Sequence, residues 1–406
     1  MSLPRLSLLA RPGGDRRGDR RRGRGDAAAR LRPWIYANEI DMPAAKALGA
    51  GTQVTVTDAG GAPLGSGFVT PQSLIAVRLY DAAPDRPFDE ALLDQRLGQA
   101  IALRQRLGLW PQCRIVHAEA DGLPALVVDR IGDTAVVQVN GAGLDGLRDA
   151  VVAAVAAQSG AACVILRGDE TARHREGLPP LPASIAHGST GGPVTLQENG
   201  VTFHADPMAG QKTGWYHDQR DNRIMAGRLA RDLEVLDLYC HSGGFALHAA
   251  AGGAAAVIGI DSSAPALELA RAAAAANGFG DQVSFHRQEA FQALAALAQD
   301  GRRFGMVIAD PPPFARSRKD VPTAAKAYRK LARLAADRVQ PGGFLFIASC
   351  SHAVEPDRFA EEVGRGLQLA GRGGRLLQAA GASADHPVHV ALPETAYLKS
   401  LLFQLD

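Results

Sequence analysis

The spacing of apolar and polar positions predicts different structures along the chain. Residues 53–80 contain short alternating apolar runs separated by Gly and Pro, which predict the strands of a small barrel. Residues 89–108 carry apolar side chains at helical spacing with arginines off that stripe, which predicts an amphipathic helix. Two alternating runs at 123–129 and 134–139 then predict a hairpin. An Ala- and Val-rich helix and a strand at 162–166 are expected to complete this middle part.

The pattern changes again after a stretch rich in Pro, Gly and Ser at 177–192, so we place a boundary near residue 195. Apolar runs that predict parallel strands lie at 235–239, 256–260, 283–285, 306–309 and 344–348. Ala-rich helices between them predict an α/β fold with a doubly wound, mostly parallel sheet. The last run, 397–405, predicts a strand inserted antiparallel. The predicted domains are therefore 1–80, 81–195 and 196–406.

The composition is that of an ordinary globular protein with more than one domain. The chain has 406 residues, of which 46% are apolar and 21% charged, and it exceeds the roughly 250–300 residues at which one core stops growing. Apolar runs of the ~20 residues that cross a bilayer are missing, and so is a secretory signal. We therefore expect a cytoplasmic protein that does not enter a membrane. The four cysteines show neither paired nor metal-ligand spacing, which predicts free thiols and no metal.

An electropositive segment lies near the N-terminus. Residues 11–32 contain nine Arg and three Asp, although the net charge of the whole chain is only +2. One interpretation is phosphate neutralisation, which gives salt-dependent affinity for nucleic acid. The other is a solvated, flexible tail, which the low complexity of residues 13–26 favours equally.

Three stretches are predicted to share one edge of the sheet: residues 237–245, 310–314 and 349–351. Each follows an apolar run, so each falls at the carboxyl end of a parallel strand, where open α/β sheets bind ligands. A glycine turn, an acidic strand end and a thiol meet there. This combination predicts a cofactor-dependent transfer enzyme that forms a covalent intermediate.

The glycine turn and two further carboxylates predict a nucleoside pocket. Gly243 and Gly244 let the backbone approach a ligand, but they lack the G-x-G-x-x-G spacing that would indicate a pyrophosphate site. Asp261 ends the next strand and can accept both ribose hydroxyls, and Glu289 can accept the adenine amino group. This arrangement fits S-adenosylmethionine. The alternative for Asp261 is a helix cap before Pro265.

The proline loop and the thiol predict the chemistry. In Asp310-Pro-Pro-Pro-Phe314 the prolines fix φ and leave backbone carbonyls that can face an exocyclic amine, although a stiff connection is the plainer interpretation. Cys350 can be a buried small hydrophobic residue. Its place at the carboxyl end of a central strand, near helix N-termini, favours a nucleophile instead.

The sequence resembles the bacterial 23S rRNA (cytosine-C5) methyltransferases of the RlmI type over nearly its whole length. The matching segments are 32–40, 65–79, 119–124, 128–130, 198–200, 210–223, 310–318, 349–352, 385–387 and 393–399. Segment 210–223 is the most specific of them. The chain departs from the family in its N-terminal segment rich in Arg, Gly and Asp, where the family has a shorter basic segment.

The resemblance implies an N-terminal PUA-like barrel, a small α/β domain and a Rossmann-like class I methyltransferase domain that uses S-adenosyl-L-methionine. It implies that the cofactor site is lined by Asp237, Tyr239, Gly243, Asp261, Glu289 and Asp310. Segment 211–220 is expected to fold over the cofactor, with Tyr216 and Arg220 as its contacts. Cys350 is the implied nucleophile. The implied partner is 23S ribosomal RNA, and a homodimer stays open.

The resemblance and the residues agree on a reaction. Addition of the Cys350 thiolate at C6 of cytosine makes C5 nucleophilic enough to accept a methyl group. Asp310 is expected to hold the amino group and the N3 edge. Two alternatives remain at this point: methylation of a purine amino group with the proline loop alone, and an RNA-binding assembly factor without turnover.

Overall fold

The computed structural model describes residues 2–9, 32–210 and 213–406. Apart from Arg32, the arginine-rich segment lies outside these described residues. The contacts divide the chain into two compact units. Unit 1 comprises residues 1–194, 207–214 and 385–393, and unit 2 comprises 195–206, 215–384 and 394–406. The three-domain division expected from the sequence stays a prediction.

The first sheet of unit 1 has five strands in the order β1-β3-β4-β5-β2. Its strands are β1 (Arg5–Ser7), β2 (Trp34–Tyr36), β3 (Gln53–Thr57), β4 (Pro63–Val69) and β5 (Ile75–Asp81), and helix α1 is Met42–Leu48. The alternating runs read from the sequence therefore form three of the five strands. Their inward residues, among them Val54, Val56 and Val77, are fully buried and form the core of this sheet.

The second sheet of unit 1 has the order β10-β9-β8-β7-β6. Its strands are β6 (Arg114–His117), β7 (Leu126–Ile131), β8 (Thr134–Val139), β9 (Cys163–Arg167) and β10 (Ser184–His187). Its helices are α2 (Glu90–Arg106), α3 (Ala142–Asp145), α4 (Arg148–Ser159) and α5 (Glu170–Arg175). The predicted hairpin is confirmed, because β7 and β8 pair antiparallel up to Ile131 and Thr134. Asp89 caps the predicted helix α2 by accepting the Leu92 N–H.

Unit 2 contains the predicted doubly wound sheet, preceded by the hairpin strands β11 (Val194–Glu198) and β12 (Val201–Ala205). The sheet has seven strands in the order β15-β14-β13-β16-β17-β19-β18. Its strands are β13 (Glu234–Leu238), β14 (Ala256–Asp261), β15 (Val283–Arg287), β16 (Phe304–Ala309), β17 (Val339–Ser349), β18 (Gly374–Ala380) and β19 (Lys399–Leu405). Its helices are α6 (Arg220–Leu229), α7 (Gly244–Ala251), α8 (Ala264–Ala276), α9 (Ala290–Gln299), α10 (Val321–Ala336) and α11 (Pro356–Leu369).

The strand directions place the ligand-binding edge. Strands β13 to β17 run parallel, and β19 pairs antiparallel with β17, as the sequence predicted. The strand order reverses between β13 and β16, which is the switch point where open α/β sheets bind ligands. All the residues that the sequence singled out at 237–245, 310–314 and 349–351 lie at the carboxyl ends of these strands. Within the described ranges, none of the helices is long and apolar enough to span a membrane.

Candidate active site

The thiol side of the edge consists of Cys350, the proline loop 310–314 and Lys399. Cys350 follows β17 directly and is partly exposed, whereas the other three cysteines are buried. Its Sγ lies 3.9 Å from the carbonyl oxygen of Pro311. The Asp310 N–H donates to the Leu238 carbonyl at 3.5 Å, which fixes the start of the loop beside the glycine turn. The structure thus brings the thiol and the proline loop together.

The two serines around Cys350 explain why the thiol is held in place. Both Ser349 and Ser351 are fully buried and bind the hydroxyl of Tyr328, at 2.8 and 3.0 Å respectively. The Ser351 hydroxyl also accepts the Ala315 N–H at 3.3 Å, which ties the proline loop to the same cluster. Buried hydroxyls that are satisfied in this way fix the backbone on both sides of Cys350.

The carboxylate side consists of Asp237, Asp261 and the turn 239–243. Asp237 is fully buried, and its Oδ2 accepts the Ala246 N–H at 2.9 Å. Its Oδ1 is buried without a hydrogen-bond partner. Burial raises the pKa of Asp237 well above its usual value, and the neighbouring carboxylates of Asp310 and Asp261 raise it further. An unpaired buried carboxylate oxygen is costly, and a cationic ligand group would offset that cost.

The turn between β13 and α7 has a strained backbone. Tyr239, His241 and Gly243 all have positive φ, at 63°, 49° and 85°. A Cβ on Gly243 would lie only 3.1 Å from Cζ of Phe285, so a glycine is needed here for space as well as for conformation. Strain of this kind concentrates at ligand-binding sites.

Asp261 fixes this turn. Its Oδ2 accepts the His241 N–H at 2.9 Å, and its Oδ1 accepts the Ser263 N–H at 2.8 Å. The helix cap that the sequence offered as an alternative role belongs to Ser263, whose hydroxyl accepts the Ala266 N–H of α8. Asp261 is only partly buried and keeps acceptor capacity on both oxygens.

The charge of Glu289 acts on Tyr239, the first residue of the turn. Glu289 is exposed at the start of α9, and its side chain makes no capping hydrogen bond there. Burial raises the pKa of Tyr239, and the negative charge of Glu289 adds to the increase. The carboxylate is thus available to a ligand at the end of β15.

Tyr216 lies close to both sides of the edge. Its ring meets the His241 ring edge-on, with 5.2 Å between the centroids. Burial raises the pKa of Tyr216, and the charges of Asp218, Asp310 and Cys350 raise it further. The phenol is therefore neutral at physiological pH and can serve as a hydrogen-bond donor.

Arg220 takes part in a buried ionic cluster around Glu198. Arg223 binds both carboxylate oxygens of Glu198 at 2.7 Å, and Nε of Arg220 lies 3.5 Å from Oε2. Burial would raise the pKa of Glu198, but Arg223, Arg220 and His248 together lower it to about 2. Arg223 also donates to the Tyr216 carbonyl at 2.8 Å, so the cluster supports Tyr216. The predicted cofactor contact of Arg220 stays a prediction.

Sequence comparison decides the family. Residues 171–403 match the sequence model of S-adenosylmethionine-dependent methyltransferases, and residues 21–82 match that of a PUA-like domain. The chain belongs to the S-adenosylmethionine-dependent methyltransferases. The predicted methyltransferase fold, the PUA-like part and the cofactor S-adenosylmethionine are thereby confirmed.

Individual relatives agree with the family. A protein from Shewanella denitrificans named Ribosomal RNA large subunit methyltransferase I is 34% identical over 386 residues, covering 94% of this chain and 97% of the relative. A protein of the same name from Alteromonas mediterranea is 34% identical over 380 residues, covering 93% and 95%. A crystal structure described as a candidate methyltransferase complexed with SAH superposes with a TM-score of 0.81 over the full length of both chains, at 17% identity. A candidate methyltransferase from Streptococcus mutans gives 0.80 at 16% identity, covering 99% of this chain and all of that one. At such identities these two structures show the fold alone.

The carboxylate side of this methyltransferase fits S-adenosylmethionine. An ammonium group would satisfy the buried Oδ1 of Asp237, and the carboxylates of Asp261 and Glu289 suit hydroxyl and amino donors. Gly243 leaves the space that a side chain would fill. In the described part of the chain, no group of three His, Cys, Asp or Glu side chains is arranged to hold a metal ion.

Sequence reasoning missed three supporting residues of the methyltransferase site. Tyr328 occupies an ordinary core position on α10, and nothing in its spacing distinguishes it from packing. Glu198 and Lys399 lie within segments that matched the family, but neither stands at the carboxyl end of a predicted parallel strand. Only the tertiary structure brings these residues to the site.

Proposed function

We propose that this methyltransferase methylates C5 of a cytosine in 23S ribosomal RNA through a covalent adduct with Cys350. The observation that carries the proposal is the placement of Cys350. This residue is partly exposed, its sulfur lies 3.9 Å from the Pro311 carbonyl oxygen, and the serines on both sides of it bind the Tyr328 hydroxyl. Relatives at 34% identity that bear the name of a large subunit ribosomal RNA methyltransferase support the substrate class.

The covalent route follows from the chemistry of cytosine. C5 is a poor nucleophile until the Cys350 thiolate forms a bond to C6, which pushes the electron pair of the C5–C6 double bond onto C5. S-Adenosylmethionine supplies an electrophilic methyl group. Attack of C5 on that group would break its bond to the sulfonium sulfur and leave S-adenosylhomocysteine. Transfer of the C5 proton to water would then return an electron pair to the C5–C6 double bond, break the C6–S bond and expel the thiolate. The sulfur therefore returns unchanged to the next cycle.

Asp310 and the proline loop would orient the base. The three consecutive prolines of this loop lack backbone N–H groups, so the loop offers hydrogen-bond acceptors without the matching donors. They are suited to accept the exocyclic amine, while Asp310 faces the N3 edge and stabilises charge during the addition. The base must leave any stack to reach such a site.

Cofactor contacts would come from the carboxylate side. Asp237 would hold the ammonium group, and Asp261 and Glu289 would hold the nucleoside. The Gly243 turn would lie against the cofactor together with Tyr239, Tyr216 and Arg220. These assignments rest on the burial, strain and hydrogen bonding of the turn.

RNA would be held by the PUA-like domain. The match at residues 21–82 overlaps the arginine-rich segment, which carries the charge needed for phosphate contacts. The expected cytoplasmic location agrees with a ribosomal RNA substrate. A homodimer stays open.

The decisive test is substitution of Cys350. Cys350→Ala is expected to lower methyl transfer from radiolabelled S-adenosylmethionine to 23S rRNA by at least about 10³-fold, because no other group replaces the nucleophile. Cofactor binding should be unchanged, since Cys350 lies on the thiol side. Cys113→Ala, which removes a buried thiol of unit 1, is the matched control and should keep its activity.

The same test separates the alternatives. Full activity of Cys350→Ala would contradict the covalent route and favour methylation of a purine amino group by the proline loop. Nucleoside mass spectrometry of the product identifies the methylated base in either case. Failure of the unmodified protein to bind S-adenosylmethionine in isothermal titration would instead favour an RNA-binding assembly factor.

A further inference from the structure

Lys399, on the antiparallel strand next to β17, contacts the residues on both sides of Cys350. It is the first residue of β19, and its backbone pairs with that of Ser349, the residue before Cys350. Its Nζ donates to the carbonyl of Ser351, the residue after Cys350, at 2.6 Å. A second bond goes to the Tyr397 carbonyl at 2.9 Å. Lys399 therefore contacts the chain on both sides of the thiol.

Lys399 is almost entirely buried, and burying an ammonium group costs free energy unless other groups compensate for its charge. Burial lowers the pKa of Lys399 to about 8, and the negative charges of Cys350 and Glu355 act in the opposite direction. Most of the Lys399 side chains are therefore still protonated at pH 7. Two carbonyls satisfy two of the three N–H donors of an ammonium group, which leaves the third for another acceptor.

We propose that Lys399 is a positioning residue that holds the Cys350 sulfur as a thiolate by placing a positive charge beside it. The inference deepens the proposed function, since it rests on Cys350 as the nucleophile. A thiolate is the reactive form of cysteine, and a neighbouring ammonium group stabilises it relative to the thiol. The methyltransferase would then carry a reactive sulfur before any RNA arrives.

Four acidic groups around the sulfur do not supply this charge. Tyr216 and Tyr328 approach Cys350 from segment 215–219 and from α10, and burial raises the pKa of each, so both phenols are neutral near pH 7. Asp310, on the proline loop, and Glu355, which precedes α11, carry negative charge when ionised and would oppose a thiolate. Of these groups and Lys399, only Lys399 has a charge of the stabilising sign. His352, whose ring stacks on that of Tyr397 with 5.0 Å between the centroids, is a second group that can carry a positive charge.

A purely structural role is the competing explanation, because the lysine also satisfies two backbone carbonyls. Lys399→Gln separates the two roles. The amide keeps two N–H donors for the carbonyls of Ser351 and Tyr397 but carries no charge. Lys399→Arg keeps the charge. Lys330→Gln, on the exposed face of α10, is the control for loss of a lysine elsewhere in unit 2.

The experiment is the pH profile of Cys350 alkylation by iodoacetamide in the full-length protein, followed by mass spectrometry of the peptide that contains Cys350. In the unsubstituted protein the midpoint is expected below about 7.5, compared with roughly 8.5 for an ordinary thiol. Lys399→Gln should raise this midpoint by about one pH unit, which lowers the alkylation rate at pH 7 roughly tenfold. Lys399→Arg and Lys330→Gln should keep the low midpoint.

An ordinary midpoint in the unsubstituted protein would overturn the inference even if a variant failed to fold. An unchanged low midpoint in Lys399→Gln would overturn it as well, because the charge would then be irrelevant. The assay needs neither RNA nor S-adenosylmethionine. If Cys350→Ala kept full methyl transfer, the proposed covalent function would fail while the alkylation profile still reported on Lys399.

Discussion

The two sides of the strand-end edge hold their functional groups in different ways. On the thiol side, Ser349, Ser351 and Tyr328 form a cluster of buried hydroxyls that bind one another. On the carboxylate side, Asp237 has a buried oxygen without a partner. The turn 239–243 on this side also contains positive φ angles at residues other than glycine.

This difference indicates which side depends on a ligand. The hydroxyls of the thiol side form hydrogen bonds with one another, so the fold alone fixes the position of Cys350. The turn and Asp237 store unfavourable free energy, with roughly 1–3 kcal/mol for each strained residue. A bound cofactor that pairs with Asp237 would recover part of it. We therefore expect S-adenosylmethionine to stabilise the carboxylate side and to leave the thiol side nearly unchanged.

Asp237→Asn tests the carboxylate side and should have the largest effect of the substitutions that follow. Replacing a carboxylate acceptor with a neutral amide removes about 1.5–3 kcal/mol of binding free energy, which weakens S-adenosylmethionine binding by roughly 10- to 150-fold. Isothermal titration measures this change. The alkylation rate of Cys350 should remain the same, since it belongs to the other side.

The pH dependence of binding sharpens the test. The pKa of Asp237 is raised in the folded protein, so its protonated form is favoured until the pH passes that raised value. Cofactor affinity should therefore increase as the pH rises from 3.8, the ordinary value of an aspartate, through the raised pKa. Asp237→Asn should bind with a nearly constant affinity over the same pH range, because its amide does not titrate. Equal pH profiles for the two proteins would contradict the assignment of Asp237.

Tyr328→Phe tests the thiol side. Loss of the hydroxyl leaves Ser349 and Ser351 with unsatisfied buried groups and should lower the free energy of unfolding by about 1–3 kcal/mol. Urea unfolding measures this change, and the alkylation rate of Cys350 should change with it. Tyr36→Phe is a suitable control, because Tyr36 loses only a partly buried bond from Arg32. Unaltered cofactor affinity in Tyr328→Phe would support the independence of the two sides, and a large loss would contradict it.

The fold was predictable because its signals are local. Runs of apolar residues marked strands β13 to β17, and the alternation with helices fixed the parallel sheet before any contact was known. The sequence did not predict strand β18, because its apolar residues Leu376 and Leu377 are adjacent and exposed and do not alternate with polar residues. The short strands β1 and β2 carry too few residues for a pattern.

The site was only partly predictable for a related reason. Asp237, Asp310 and Cys350 stand at strand ends, a position that sequence periodicity reveals. Lys399 reaches the thiol from an antiparallel strand nearly 50 residues away, with a separation of 48 between Lys399 and Ser351. No local pattern encodes that pairing, because it depends on the register between β17 and β19.

Gly243→Ala tests whether lack of space adds to the cost of a positive φ, and its difference from Gly278→Ala is the smallest effect expected here. Alanine at a positive φ costs about 1–2 kcal/mol wherever it occurs, so Gly278→Ala, with a φ of 73° and open space around it, measures that cost alone. At Gly243 the new Cβ would also lie 3.1 Å from Phe285 and 3.3 Å from Ala270. We expect Gly243→Ala to lower the free energy of unfolding by roughly 1 kcal/mol more than Gly278→Ala. It should also weaken S-adenosylmethionine binding, whereas Gly278→Ala should not. Equal losses of stability with unchanged binding in both variants would show that the turn is strained without serving the cofactor.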